Sequence, residues 1–417
     1  MNFVTDRLCE LSNFEPIELI ERLANCEQQS SSNCCWMRPA FVQGAVMNGA
    51  RTQMSECIAG CRDGAPVNIT VDSFDSPELV DLIIASYRLG HIAMPTFVCD
   101  WEHLMLSRGT VYDTLLSELD GAVIFGVICT LDATTDLTIT LEPLVVNTDM
   151  HIKAVTVGSE HAFIGSFNMN FDHTYWRHNW ETGAYIKHAA IVDYVNTVTA
   201  RMLFGHSEVR IAKFDNLELC YSFSAYQRPH LLIFEAMQSA RSSIRICIFT
   251  FETLNFAAWF TLDDLLCRRM KENAGLRVEI LVNGHMSRIR PNMGSRSKHF
   301  SLEKPDMCFS LEQSYPVYKP LQRLADAGAS IFCVYGDSES ESYYSPIHCK
   351  FCIIDDECVL DGSYNFYNTS KYSHEMYMKI TDAFMAACYR SYWNDVRTKL
   401  RCIPVTTSQS VIQKKIK

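Results

Sequence analysis

No stretch of this chain approaches the ~18–20 uninterrupted apolar residues of a membrane span, so stable insertion into a bilayer is not expected. The opening MNFVTDRLCELSNF carries Asp6 and Glu10 where a secretory signal would have basic residues and then an apolar core. There is no low-complexity tract and no surplus of positive charge: Lys+Arg 37 against Asp+Glu 48 leaves a net charge of −11. That sign excludes a surface given over as a whole to a polyanion, but not a local basic cleft. His, Asp and Glu at metal-ligand spacing are also missing, so neither a metal nor another cofactor is expected. Cysteine is plentiful but unpatterned. The 18 cysteines sit largely in apolar runs such as Ile246-Cys247-Ile248 and Ile331-Phe332-Cys333-Val334. Such usage fits buried thiols in a reducing compartment, cytoplasmic or nuclear rather than secreted.

What is present is length and internal repetition. At 417 residues, with 48% hydrophobic and 20% charged, the chain is globular in composition and long enough for two or three domains. Residues 151–168 read HIKAVTVGSEHAFIGSFN and residues 348–365 read HCKFCIIDDECVLDGSYN. Without a gap, each gives His-x-Lys, eleven residues, then Gly-Ser-aromatic-Asn. His151, Lys153, Gly165, Ser166 and Asn168 answer to His348, Lys350, Gly362, Ser363 and Asn365, and Glu181 and Glu375 follow at similar distances. Coincidence at so many polar positions points to a duplication.

Around the second copy, apolar spacing predicts a helix over 231–240, a strand over 243–251, a helix over 255–272 and a strand over 276–282. A short helix over 318–327 ended by Gly328, and strands over 331–335 and 348–354, complete it. The first copy reads more loosely: helices near 77–88 and 110–118, strands near 91–98 and 121–129. The alternation implies α/β lobes, each a mixed sheet flanked by helices, related by a pseudo-twofold. The expected divisions are 1–64 as an extension or cap, 65–210 as the first lobe, 211–402 as the second and 403–417 as a tail.

His-x-Lys suits a strand because residues two apart share a face. One lobe then presents an imidazole, a fixed cation and, from Ser363 and Asn365 on the next strand, an amide. Two lobes facing each other present two of each. That is what phosphodiester cleavage without a metal requires: one imidazole to attack phosphorus, one to protonate the leaving oxygen, lysines and asparagines to offset the charge.

These residues are similar to the phospholipase D superfamily signature, H-x-K-x4-D-x6-G-S-x-N. The second copy matches throughout, with His348, Lys350, Asp355, Gly362, Ser363 and Asn365. The segments ARSSIRICIFTF and HCKFCIIDDECVLDGSYNF resemble the single-domain nuclease and cardiolipin-hydrolase branch. The resemblance spans most of 211–400, and 65–205 mainly through the repeat. It implies a phosphohistidine intermediate, no metal, and a site shared by two motifs that this chain supplies alone, as a monomer. The family order makes His151 the nucleophile and His348 the acid, with Glu181 and Glu375 orienting the rings. The first copy departs at Gly158, which stands where the aspartate should be. The tyrosyl-DNA phosphodiesterases of the superfamily also lack it and work, which favours an active first copy over a phosphate-binding relic.

The implied activity is a phosphodiesterase on nucleic acid, with phospholipid hydrolysis or phosphatidyl transfer and an inactive scaffold as the other readings. Residues 285–300 hold Arg288, Arg290, Arg296 and Lys298 without an acidic residue. They are candidate contacts to a nucleic-acid backbone or lipid headgroup, weighed against an ordinary solvated loop. Cys349-x-x-Cys352 has redox spacing but interleaves with the motif on an apolar strand, so a buried structural role is expected, and Cys57-x3-Cys61 is no stronger. Tyr175, Trp176 and Trp180 could stack a base or line an acyl pocket, yet core packing is the commoner fate. His161, His173, His178 and His374 lack the paired lysine and are read as peripheral.

Overall fold

In a computed structural model of the chain, the described residues are 37–43, 47–100, 111–119, 123–129, 144–146, 150–169, 179–204, 212–222, 228–284, 318–335 and 347–405. Two mixed sheets, one of eight strands and one of nine, carry the two repeats. In the first, Gly183–Lys187, His161–Gly165, Lys153–Val157, Val67–Val71, Thr96–Asp100 and Val123–Cys129 follow in spatial order. In the second, Met376–Thr381, Cys358–Gly362, Lys350–Ile354, Ser243–Ile248, Arg277–Asn283 and Ser330–Tyr335 do the same. The pairings match as well: each motif strand is antiparallel to both neighbours, and the two following strands are parallel. The duplication read from eighteen residues therefore extends over six strands of each sheet.

Helices cover the outer faces. Pro77–Arg88 opens on Pro77 and turns Leu79, Val80, Ile83 and Ile84 onto the first sheet's core. Pro229–Ser239, Leu262–Glu272 and Tyr318–Asp326 cover the second. Between the sheets, Ala189–Phe204 and Ala383–Lys399 help build one apolar core with residues from both lobes, including Ile152, Ile164, Phe351 and Tyr389. Fully burying a side chain of that kind contributes roughly 1.5–3 kcal/mol, so the lobes are joined by a continuous core rather than by a hinge.

Three expectations are corrected. The helix expected over 255–272 begins only at Leu262, because Thr261 and Asp264 form a reciprocal cap there; residues 255–261 are a short hairpin instead. The strand expected over 91–98 starts at Thr96, just after Pro95, which lacks the N–H that a ladder needs. Parts of both expected appendages are built into the sheets. Met37–Pro39 pairs with Gly183–Lys187 at one edge, and Arg401–Pro404 pairs with Ser330–Tyr335 at another. Among the described residues no helix is long and apolar enough to cross a membrane.

Candidate active site

Each lysine of His-x-Lys is wholly buried on a central strand. Lys153 Nζ donates to the His151 carbonyl at 3.0 Å, and Lys350 Nζ to the His348 carbonyl at 2.8 Å. Lys350 Nζ also lies 3.0 Å from His348 Nε2. An ammonium tied to its own strand is a charge held at one point before any ligand arrives.

The Gly-Ser steps explain how the glutamates are held. A Cβ at Gly165 would run into the Thr182 carbonyl, and one at Gly362 into that of Met376, so only glycine lets the glutamate-bearing segment pass this close. The serines use that approach in the same way. Ser166 N–H donates to Thr182 O at 2.8 Å, and Ser363 N–H to Met376 O at 3.0 Å. Ser363 Oγ donates to Glu375 Oε2, and Ser166 Oγ reaches Glu181 Oε2 at 3.5 Å.

From there each glutamate crosses to the other lobe. Glu375, in the second repeat, meets His151 Nδ1 at 3.0 and 2.9 Å through its two oxygens. Glu181, in the first repeat, stands 3.4 Å from His348 Nδ1. Backbone bonds repeat the exchange: His151 N–H donates to His374 O at 3.0 Å, and His348 N–H to Trp180 O at 2.8 Å. Both motifs thus meet at the seam, related by a pseudo-twofold, and neither histidine is held by its own repeat alone.

Burial dominates the electrostatics of the site. Burial, with Lys350 and Lys153 adding to it, holds the His348 imidazolium well below the ordinary histidine range. Burial and then the Lys153 charge bring Lys350 down to about 7. Burial pushes Glu181 up to about 8 against the pull of Lys350 and Lys153.

The aspartate of the motif belongs to the scaffold rather than to the reacting groups, which corrects its place among the catalytic residues. Asp355 sits at φ 55 and accepts from the backbone N–H of Arg241, Ser242 and Ser243 at 2.7, 2.7 and 2.9 Å. Those bonds hold its carboxyl below the usual range against a burial effect that raises it. Gly158 keeps the left-handed turn at φ +62, and its N–H donates to Pro66 O at 2.7 Å as that of Asp355 does to Ser243 O at 2.9 Å. The groups an aspartate would serve there are already provided for. Gly64 and Ala65 donate to Gly90 O and His91 O at 3.0 and 3.1 Å, and Pro66 has no N–H. Gly158→Asp is therefore expected to leave activity unchanged, whereas Asp355→Ala should lower stability by about 1 kcal/mol through its stranded donors. Urea unfolding and turnover of both variants check this.

Two further groups were not singled out by the sequence. Asp72 follows strand Val67–Val71, with Oδ2 3.3 Å from Asn168 Nδ2 and 3.7 Å from Lys153 Nζ. Its only signal was an acidic residue ending an apolar strand, and it has no acidic counterpart in the second copy. Asp361 replaces the Ile164 of the first copy and is fully buried at the seam. It accepts from Tyr389 Oη at 2.6 Å and from Thr182 Oγ1, in the other lobe, at 3.1 Å.

Burial raises Asp361 from 3.8 to about 7, so the native state holds a proton that the unfolded chain releases. Stability from this group is complete below about pH 4 and is lost as pH climbs towards 7, a span worth roughly 4 kcal/mol. Asp361→Asn should therefore gain on wild type between pH 5 and pH 7.5 in urea unfolding. Parallel pH dependence of the two proteins would refute it.

Trp180 packs on Tyr392 in the core rather than lining an open groove, and Cys349 and Cys352 are buried free thiols, as expected. His374 is buried against Tyr221 beside Glu375, and His161 stacks on Tyr185 away from the motif pairs. Arg288, Arg290, Arg296, Lys298, Tyr175, Trp176, His173 and His178 lie outside the described residues.

Residues 233–396 match a family model described as cardiolipin synthase, PLD-like domain. Among solved structures, phosphatidylserine synthase from Haemophilus influenzae is similar over 89% of this chain and 88% of that one, at 15% identity and TM-score 0.62. Polyphosphate kinase from Porphyromonas gingivalis is similar over 89% of this chain and 52% of that one, at 12% identity and TM-score 0.50. Nuc from Salmonella typhimurium, a phospholipase D family member, aligns over 45% of this chain and 97% of its own, at 20% identity and TM-score 0.31. Comparison with curated protein sequences gives no match.

Proposed function

We propose that the chain is a phospholipase D-type enzyme, a metal-independent phosphodiesterase working through a phosphohistidine intermediate; the match of its second repeat to a PLD-like family model and the fold it shares with phosphatidylserine synthase support this reading. The exchange of glutamates between repeats carries this reading, since it sets a carboxylate against Nδ1 of each of two imidazoles in one site. One imidazole attacks phosphorus while the other protonates the leaving oxygen and later activates the incoming water or alcohol. Lys153, Lys350, Asn168 and Asn365 offset charge on the phosphoryl oxygens, and Ser166 and Ser363 hold Glu181 and Glu375. Since one chain supplies both halves, a monomer suffices.

Two substrate classes each have one observation in their favour. The run with Arg288, Arg290, Arg296 and Lys298 favours a nucleic-acid backbone. The names of the matched family model and of the phosphatidylserine synthase favour a phospholipid, with hydrolysis or phosphatidyl transfer as the reaction. Purified protein offered labelled single-stranded DNA, RNA and phospholipid vesicles in EDTA tells them apart. Turnover is expected to persist in the chelator, because histidines, lysines and asparagines take the part that a metal would play. Loss of all turnover in EDTA, restored by Mg²⁺ or Zn²⁺, would contradict the proposal.

A further inference from the structure

Among the positions at which the two halves of the site differ, one pair lies beside the motif lysines. Val71 lies across from Lys153 as Ile248 lies across from Lys350. The bridges Phe74–Met169 and Phe251–Phe366 carry the equivalence past the strand ends. Asp72 therefore answers to Phe249. Asp72 sets a carboxylate against Lys153 at 3.7 Å and Asn168 at 3.3 Å. Phe249 instead puts a ring edge-on to His348 at 4.7 Å between centroids, with Lys350 Nζ 5.3 Å from the Phe249 centroid.

This gives the imidazoles unlike surroundings. His348 is buried, with an aromatic wall on one side and an ammonium 3.0 Å from Nε2. An ammonium can only donate, so the Nε2 lone pair is kept as an acceptor, the form that attacks. Glu181 at Nδ1 and Lys153, Lys350, His151 and Asp72 are the charged groups that face this ring. His151 has both oxygens of Glu375 on Nδ1, with its side chain 18% exposed. Asp72 partly neutralises the nearest lysine, and the partly exposed ring of His151 is placed to exchange a proton with an entering water.

We propose that the Asp72/Phe249 difference fixes the order of the two histidines, so that His348 attacks phosphorus and His151 is the acid, with Asp72 a positioning residue for Lys153 and Asn168. This rests on the phosphodiesterase reading and reverses the order that the family resemblance implies. The Nε2 lone pair of His348 forms the N–P bond as Lys350 shifts to a phosphoryl oxygen. The P–O bond to the leaving alcohol breaks with its electron pair on oxygen, which takes the proton from His151 Nε2. Water or an acceptor alcohol then gives its proton to His151 and forms the new P–O bond, and the N–P pair returns to His348.

The test uses bis(p-nitrophenyl) phosphate, whose leaving group needs no proton, with a denaturing alkaline quench and peptide mapping at alkaline pH for phosphohistidine. His151→Ala should release a burst of p-nitrophenolate and accumulate an adduct on His348, whereas His348→Ala should give neither. An adduct on His151 in His348→Ala would overturn the order while leaving the phosphohistidine reading intact. Absence of adduct and of p-nitrophenolate release in wild type would overturn both. Asp72→Asn should slow bis(p-nitrophenyl) phosphate, because Lys153 and Asn168 serve the phosphoryl oxygens, and should slow an unactivated phosphodiester about 10-fold more, because protonation of the leaving oxygen suffers as well. Equal loss on both substrates would remove Asp72 from the scheme.

Discussion

His151→Ala and His348→Ala are each expected to lower turnover of an unactivated phosphodiester at least about 10²–10⁴-fold, the contribution typical of a positioned general acid or base. The tasks are distinct, so neither imidazole substitutes for the other, and the double variant should be hardly worse than either single one. The expectation follows from the seam, where both rings have a carboxylate on Nδ1 and a lysine two residues on. Steady-state kinetics on whichever substrate class responds is the measurement. Wild-type turnover in His151→Ala would make the first repeat a relic and call for a dimer in which two copies of His348 share the chemistry.

Glu375→Ala should behave as a lesion of His151, although 224 residues separate them and they belong to different repeats. Glu181→Ala should likewise behave as a lesion of His348. Each removes the partner that fixes ring orientation and tautomer, a loss expected at about 10²–10⁴-fold by analogy with other carboxylate–histidine pairs. An activated leaving group exposes the pairing whatever the order of the two histidines. The glutamate variant that recovers on such a substrate should be the one in the repeat opposite the recovering histidine. Recovery of a glutamate and a histidine variant from the same repeat would refute the exchange.

Much of this arrangement was legible in the residues, and the rest was hidden for identifiable reasons. The helix at 77–88 was plain because proline, apolar spacing and a terminal arginine all agree. The motif strands were plain because the polar pairs recur at identical spacing in both copies. Residues 255–261 were misread because Phe256, Phe260 and Leu262 continue the apolar pattern, while the deciding contact is a side-chain cap at Thr261. That Glu181 serves His348, and Glu375 His151, depends on register between lobes, which no local pattern records. Asp72 escaped notice because a repeat search rewards identity, and its place in the second copy is taken by an aromatic ring. The scaffold role of Asp355 needed the three N–H groups it gathers from a distant loop.

The fusion of the two motif strands into one polypeptide has a consequence for how such a site can change. In a symmetric pair of identical chains every substitution is made twice, on both sides of the axis at once. Here the sides have been edited singly. Pro66 and the carbonyls of Gly90 and His91 released position 158 from its aspartate. Asp361 faces Thr182 where the mirrored position holds Ile164, and Asp72 mirrors Phe249. A reaction that asks two histidines for opposite acts is badly served by perfect symmetry. Tethering lets one template diverge on its two sides while both motif strands keep the same pairing.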